Sequence, residues 1–393
     1  PELEEWIENK IIKKYSFNSW KNSLLSIHNP KSSNDLIYSN VHRRRLAFDE
    51  LLSHQLAIAI IRNYNQKQKG IEFNSSSSLV DNFIDLLPFK LTNSQKNVWE
   101  EIKKDLISSH QMVRLLQGDV GSGKTIIALL AILQAIESGY QTAMMVPTSI
   151  LALQHFNNIQ ILFKKLDINI IILTGKDKGN SRLEKLKQIE SGQIKLVIGT
   201  HALIQDDVTF NSIGLVVIDE QHRFGVFQRM AFTNKGRKPS ILVMSATPIP
   251  RTLALAAYGD MDESKITEKP IGRLPIKTTS LSLLKEKILI ERLLIKLQSN
   301  EKAYWVCPLI EESEELDLKA ANERYEHLNK IFNKKVLIIH GQLKEKEKEE
   351  VMYKFQNEDY KILVSTTVIE VGIDIKEATT IIIEHAERFG LAQ

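Results

Sequence analysis

Apolar positions along this 393-residue chain follow two patterns, and the change from one to the other comes near residue 112. Before it, Leu46, Leu51, Leu52, Leu56, Ala59 and Ile60 recur near helical spacing, so Arg43 to Arg62 reads as one helix. Turn-rich polar stretches, Asn29 to Asp35 and Asn74 to Ser78, bracket that helix. Residues 1–88 are therefore expected to form a helical connector, too short of alternating strands for a sheet domain. From Met112 onward, short apolar runs alternate with amphipathic stretches. Strands are expected at Val113–Leu116, Thr142–Val146, Ile168–Leu173, Leu196–Ile198, Leu215–Ile218 and Ile241–Met244. Helical patterns such as Thr125–Ser138 and Arg182–Glu190 fall between several of them.

A second series follows the turn region Pro270–Pro275. Helices are expected at Leu284–Leu297, Leu316–Phe332 and Lys344–Gln356, and strands at Ala303–Val306, Val336–Ile339, Ile362–Val364 and Thr380–Ile383. Strand–helix alternation of this kind implies right-handed βαβ units and mostly parallel sheets. The chain thus reads as α/β, with two lobes in tandem over residues 89–265 and 266–393, joined near residues 263–280. The charge runs Glu311–Asp317 and Lys344–Glu350 read as solvated surface.

Composition narrows this only slightly. Hydrophobic residues at 43% and charged residues at 25% are ordinary for a globular chain and exclude a disordered or collagen-like one. The net charge of +4 is too mild to establish a nucleic-acid partner, so any basic surface must be local. The longest apolar run, Ile126 to Leu133, is far short of the ~20 residues that span a bilayer, and no membrane partner is expected. A lone cysteine, Cys307, cannot form an internal disulfide and suits a reducing compartment. The glutamate-rich start has no signal-peptide pattern, and a chain starting at Pro1 rather than Met reads as a piece of something longer.

The chemistry begins at Gly118-Asp119-Val120-Gly121-Ser122-Gly123-Lys124-Thr125, which fits G-x-x-x-x-G-K-[ST] between an expected strand and an expected helix. Glycines let the backbone wrap closely around phosphate, and N–H groups at a helix N-terminus point at the anion. Lys124 would reach the β- and γ-phosphates of a nucleotide, and the Thr125 hydroxyl would ligate Mg²⁺. The metal needs to be held from a second side, and carboxylates follow the expected strand Leu215–Ile218. There Asp219 would hold the magnesium through water, Glu220 would act as general base, and His222 would sense the γ-phosphate. Ser245-Ala246-Thr247 ends the next strand, where its hydroxyls either link the nucleotide site to the second lobe or simply cap a helix.

These three stretches resemble motifs I, II and III of superfamily 2 helicases. The longer strings Asp219 to Val226, Ser245 to Ala254, Ile198 to Leu203 and Arg44 to Leu52 resemble the RecG family of bacterial branched-DNA helicases. The transcription-repair coupling factor family shares much of this motor, but Leu87 to Thr92 and the connector favour RecG. The resemblance implies two RecA-like P-loop lobes and an ATP-driven, monomeric, cytoplasmic motor on branched or duplex DNA, acting in repair and recombination. It also implies that Gln95 contacts the adenine, and that Gly372 and Asp374 face the nucleotide from the second lobe. Thr148, Gln154, Thr200, His201 and Thr366 match positions that contact the DNA backbone in this family. An RNA helicase with the same motor remains a rival.

Two parts of the family pattern are not matched. The chain stops at Gln393, before motif VI, which supplies an arginine finger worth ~10³–10⁵ in phosphoryl transfer. Arg388 precedes that motif and does not replace it. With that stop the second lobe is expected to be incomplete, and the N-terminal wedge domain of the family is not matched either. Nucleotide binding with much reduced hydrolysis is the expectation for residues 1–393, and an inactive remnant is the alternative.

Overall fold

The computed structural model describes residues 4–66, 69–76, 78–219, 232, 238–246, 261–270, 275–299, 301–307, 314–366 and 375–389. Four helices come first: α1 (Asn9–Tyr15), α2 (Trp20–His28), α3 (Val41–Gln66) and α4 (Ser78–Leu86). The long α3 covers the expected Arg43–Arg62 helix and extends it at both ends. Its Arg45 is fully buried, bonded to Glu5 at 2.7 Å and to Asp49 at 2.9 Å, so a guanidinium holds the first residues onto the connector.

The polar stretch after α3 is not a free linker. The Glu137 carboxylate accepts hydrogen bonds from Ser76 Oγ at 2.7 Å, Ser78 Oγ at 2.6 Å and the Ser78 N–H at 2.9 Å. It thereby caps the N-terminus of α4, where unpartnered N–H groups favour an anion.

The remaining elements alternate. They are α5 (Asn93–Ile107), β1 (Val113–Gly118), α6 (Lys124–Glu137), β2 (Gln141–Met145), α7 (Ser149–Lys164), β3 (Ile170–Leu173), α8 (Gly179–Glu190), β4 (Leu196–Gly199), β5 (Ile213–Asp219), β6 (Ser240–Ser245) and β7 (Asp262–Ile266). Seven strands form one sheet in the order β3-β4-β2-β5-β6-β1-β7. Beyond it come α9 (Glu286–Leu297), β8 (Lys302–Val306), α10 (Glu314–Ile331), β9 (Val336–Ile339), α11 (Glu345–Asn357), β10 (Ile362–Ser365) and β11 (Ala378–Ile383). The last four strands form a separate parallel sheet, β11-β8-β10-β9.

Every expected strand is present, with small shifts of its ends. One strand was not expected: β7, whose Asp-Glu-Ser-Lys-Ile sequence lacks an apolar run, pairs in parallel with β1 at the sheet edge. The expected join near residues 263–280 therefore begins inside a strand. Helix α6 is apolar nearly all round and is buried from Ile127 to Ala135, as such a helix must be. The second sheet packs Trp305, Ala303, Ile362 and Val364 against Leu293, Ala321 and Leu328. Cys307, just past β8, is buried and unpaired, and burial pushes its thiol up to about 12. No helix among the described residues is long and apolar enough to cross a membrane.

Candidate nucleotide site

Three adjacent parallel strands bring the first set of candidate residues to one edge. The register pairs Gln117 of β1 with Ser245 of β6, and Met244 of β6 with Asp219 of β5. Gly118, Ser245 and Asp219 therefore all lie at carboxyl ends, where open parallel sheets bind ligands. Gly118 and Asp219 end strands two apart, about 10 Å across the sheet at ordinary strand spacing.

Between β1 and α6 the loop has the turns that its sequence implies. Gly121 and Gly123 have φ of 71° and 93°, a region that favours glycine. An added Cβ at Gly123 would also lie 2.2 Å from Gln95 Nε2 and would push that side chain off the loop. The loop closes with Ser122 N–H donating to the Asp119 carbonyl at 3.0 Å, and α6 starts as Ile126 N–H bonds the Gly123 carbonyl at 3.0 Å. Val120 N–H donates to Asp119 Oδ1 at 2.9 Å.

Lys124 is buried and folds back over this loop. Its Nζ donates to the carbonyls of Gly118 at 2.7 Å and Asp119 at 3.1 Å. The Ser122 hydroxyl is 2% exposed and has no hydrogen-bond partner among the described residues. A cationic Nζ, an unpartnered hydroxyl and a helix N-terminus converge on a cradle that suits phosphate oxygens. Thr125 is in the first turn of α6, next to Lys124.

Gln95 holds the loop from behind. Its Oε1 accepts from the Thr92 N–H at 2.9 Å, completing a capping box at the start of α5, while its Nε2 donates to the Ser122 carbonyl at 2.8 Å. In this structure its amide is engaged with protein at both ends. The Thr92-x-x-Gln95 pattern was a sequence signal for the cap; nothing in the sequence pointed to the bond with Ser122. Glu220, His222, Gly372 and Asp374 lie outside the described residues.

The residues matched to DNA contacts fall in three places. Thr148 caps α7, its hydroxyl accepting from Leu151 N–H at 3.4 Å. Thr200 and the exposed His201 follow β4, and Val146 N–H donates to the Gly199 carbonyl at 2.9 Å, so the segments after β2 and β4 leave the sheet side by side. Gln154 is half-buried one turn into α7. Thr366 is separate, buried just past β10 in the second sheet, with its N–H on the Ile339 carbonyl at 3.4 Å. Beside it, the Ser365 hydroxyl and His340 Nδ1 have no hydrogen-bond partner among the described residues. Burial holds His340 below the usual imidazole range, with Lys348 adding to the effect.

Comparison with known proteins agrees with this architecture. The DEAD/DEAH box helicase model matches residues 92–256, and the helicase conserved C-terminal domain model matches residues 284–391. The ATP-dependent DNA helicase RecG of Thermotoga maritima is 48% identical over 394 residues, covering 100% of this chain and 50% of the relative. RecG of Bacillus subtilis is 44% identical over 398 residues, covering 100% of this chain and 57% of the relative. A solved structure of RecG bound to a three-way DNA junction superposes with a TM-score of 0.83 at 44% identity, over 100% of this chain and 51% of that one. Yeast Dbp5, at 18% identity and a TM-score of 0.55, shares the fold alone. The chain spans about half the length of the curated relatives it matches. With two RecA-like parallel sheets and this identity along its whole length, the chain belongs to the RecG family.

Proposed function

We propose that this chain carries the motor of an ATP-dependent helicase that acts on branched DNA, such as stalled forks and junctions, in repair and recombination. The observation that supports it most is the single carboxyl edge shared by the Gly118–Thr125 loop, Ser245 and Asp219. The loop and Lys124 would hold the β- and γ-phosphates of ATP, and Thr125 and Asp219 would hold Mg²⁺, which keeps most of its waters and needs few protein ligands. The metal would neutralise charge developing on the transferred phosphoryl group. Glu220, one residue past β5, would accept the proton of the attacking water, with His222 near the γ-phosphate. Gly372 and Asp374 would complete the nucleotide site from the second lobe.

The lobes would comprise residues 89–265 and 266–393, behind a connector of residues 1–88; the two matched helicase models fall within those lobes. Thr148, Gln154, Thr200, His201 and Thr366 would contact DNA phosphates. Hydroxyls and helix starts of that kind position a backbone without reading its sequence.

Residues 1–393 should bind a MgATP analogue and forked DNA, and Lys124→Ala should remove the first but not the second. DNA-stimulated hydrolysis lost in Lys124→Ala would support a working motor. Nucleotide binding with no stimulated hydrolysis would leave an ATP-binding remnant. Equal affinity for forked DNA, linear duplex and RNA at matched salt would remove the branched-DNA assignment.

A further inference from the structure

The first turn of α5 touches two different things. On one side, Gln95 Nε2 donates to the Ser122 carbonyl of the phosphate loop at 2.8 Å. On the other, the Ser94 hydroxyl accepts from the Thr267 N–H at 2.9 Å, and the Ser94 N–H donates to the Glu268 carboxylate at 3.1 Å. Thr267 and Glu268 immediately follow β7, and the chain runs from there toward the second helicase domain.

Helix and strand are also fastened farther down. Arg114 bonds Ser264 Oγ at 2.8 Å and pairs with Asp105 of α5 at 2.7 Å, while the Ser264 hydroxyl donates to Glu101 of α5. Strand β7 meets the loop directly too: Ile266 pairs with Gly118, and a Cβ on Gly118 would lie 3.2 Å from the Ile266 Cβ. Helix and strand thus form one stiff body that contacts the loop at Gly118 and at Ser122. A displacement of the Ser122 carbonyl would pull on Gln95 through this bond, and through the first turn of α5 on the two bonds made by Ser94.

We propose that the first turn of α5 is a mechanical link by which the state of the nucleotide loop sets the hold of Ser94 on residues 267–268, and so the freedom of the chain between the helicase domains. This rests on the nucleotide-binding reading above. Two hydrogen bonds, one to the exposed Thr267 N–H and one to the exposed Glu268 carboxylate, can be made or broken as discrete states, as a switch requires. By linkage, whatever fixes residues 267–268 must alter nucleotide affinity in return.

Amide hydrogen exchange of the 393-residue chain, with and without magnesium adenylyl imidodiphosphate, tests the link. The nucleotide should change exchange at Thr267 and across residues 266–270 by about fivefold or more. Ser94→Ala and Glu268→Ala should still bind the nucleotide, with affinity shifted by about the same factor as the coupling they remove, while their exchange response falls below about twofold. Glu268→Gln, which keeps an acceptor oxygen, should respond like the parent. Glu268 is exposed, so the fold should tolerate its replacement even if Ser94→Ala does not fold. Nucleotide binding to the parent chain with no change at 266–270 overturns the link, as does a full response that survives Glu268→Ala. A parent chain that binds no nucleotide refutes the nucleotide-site reading, and the link falls with it.

Discussion

Two lysines, one in each sheet region, make nearly the same bonds to opposite effect. Lys124 is 9% exposed and donates to two carbonyls of the loop between β1 and α6. Lys302 is 5% exposed, and its Nζ donates to the Phe355, Gln356 and Glu358 carbonyls at the end of α11. Burial lowers the pKa of Lys302 from its ordinary value. What differs is the end of the helix. Lys302 starts β8 and meets a helix C-terminus, whose unpartnered carbonyls want a permanent cation. Lys124 sits past the carboxyl end of β1 at a helix N-terminus, which favours an anion, so on the proposed function its loop carbonyls would be partners exchanged for phosphate. Burial and bond count are alike in the two lysines; what sets them apart is the helix end beside each.

The largest test of that contrast is Lys124→Ala. It should weaken MgATP-analogue binding by about 30-fold or more, the loss expected when one member of a buried charge pair is removed, while thermal melts barely move. Next, Lys302→Met should lower stability by about 1–3 kcal/mol in urea titrations, because three carbonyls lose their donor. Its nucleotide affinity should be unchanged, and a comparable loss there would erase the distinction.

Glu137, at the far end of α6, gives a smaller effect with a sign. Burial raises its pKa, but hydrogen bonds from Ser78, Ser76, Ser75 and the Leu79 N–H outweigh that and leave it below the ordinary carboxylate range. The folded pKa is depressed, so its contribution is complete above the unfolded value near 4.5 and is lost as pH falls through the folded one. Glu137→Gln should therefore destabilise the chain more at pH 7 than at acid pH, and an equal loss at both would contradict it. Smallest for function is Cys307. With its thiol pushed up to about 12, iodoacetamide at pH 8 should alkylate the native chain far more slowly than the urea-unfolded chain.

Most strands were legible because apolar runs such as Leu215–Ile218 are buried on both faces and leave no polar residues in the pattern. Strand β7 was not, because its polar residues bond Arg114 and flank an edge instead of filling a core. Ser94 and Glu268 were invisible for a related reason: they are 174 positions apart in sequence, and only the fold brings them within one hydrogen bond.

By itself, then, the order of residues determined the glycine-rich loop between β1 and α6, the carboxylate that ends β5 and the alternation that builds parallel sheets, since each depends on contacts within a few positions along the chain. Only tertiary structure decided what Gln95, Lys302 and Glu137 do. Each satisfies backbone groups supplied by a distant segment, and which segment arrives is settled by strand order and helix packing.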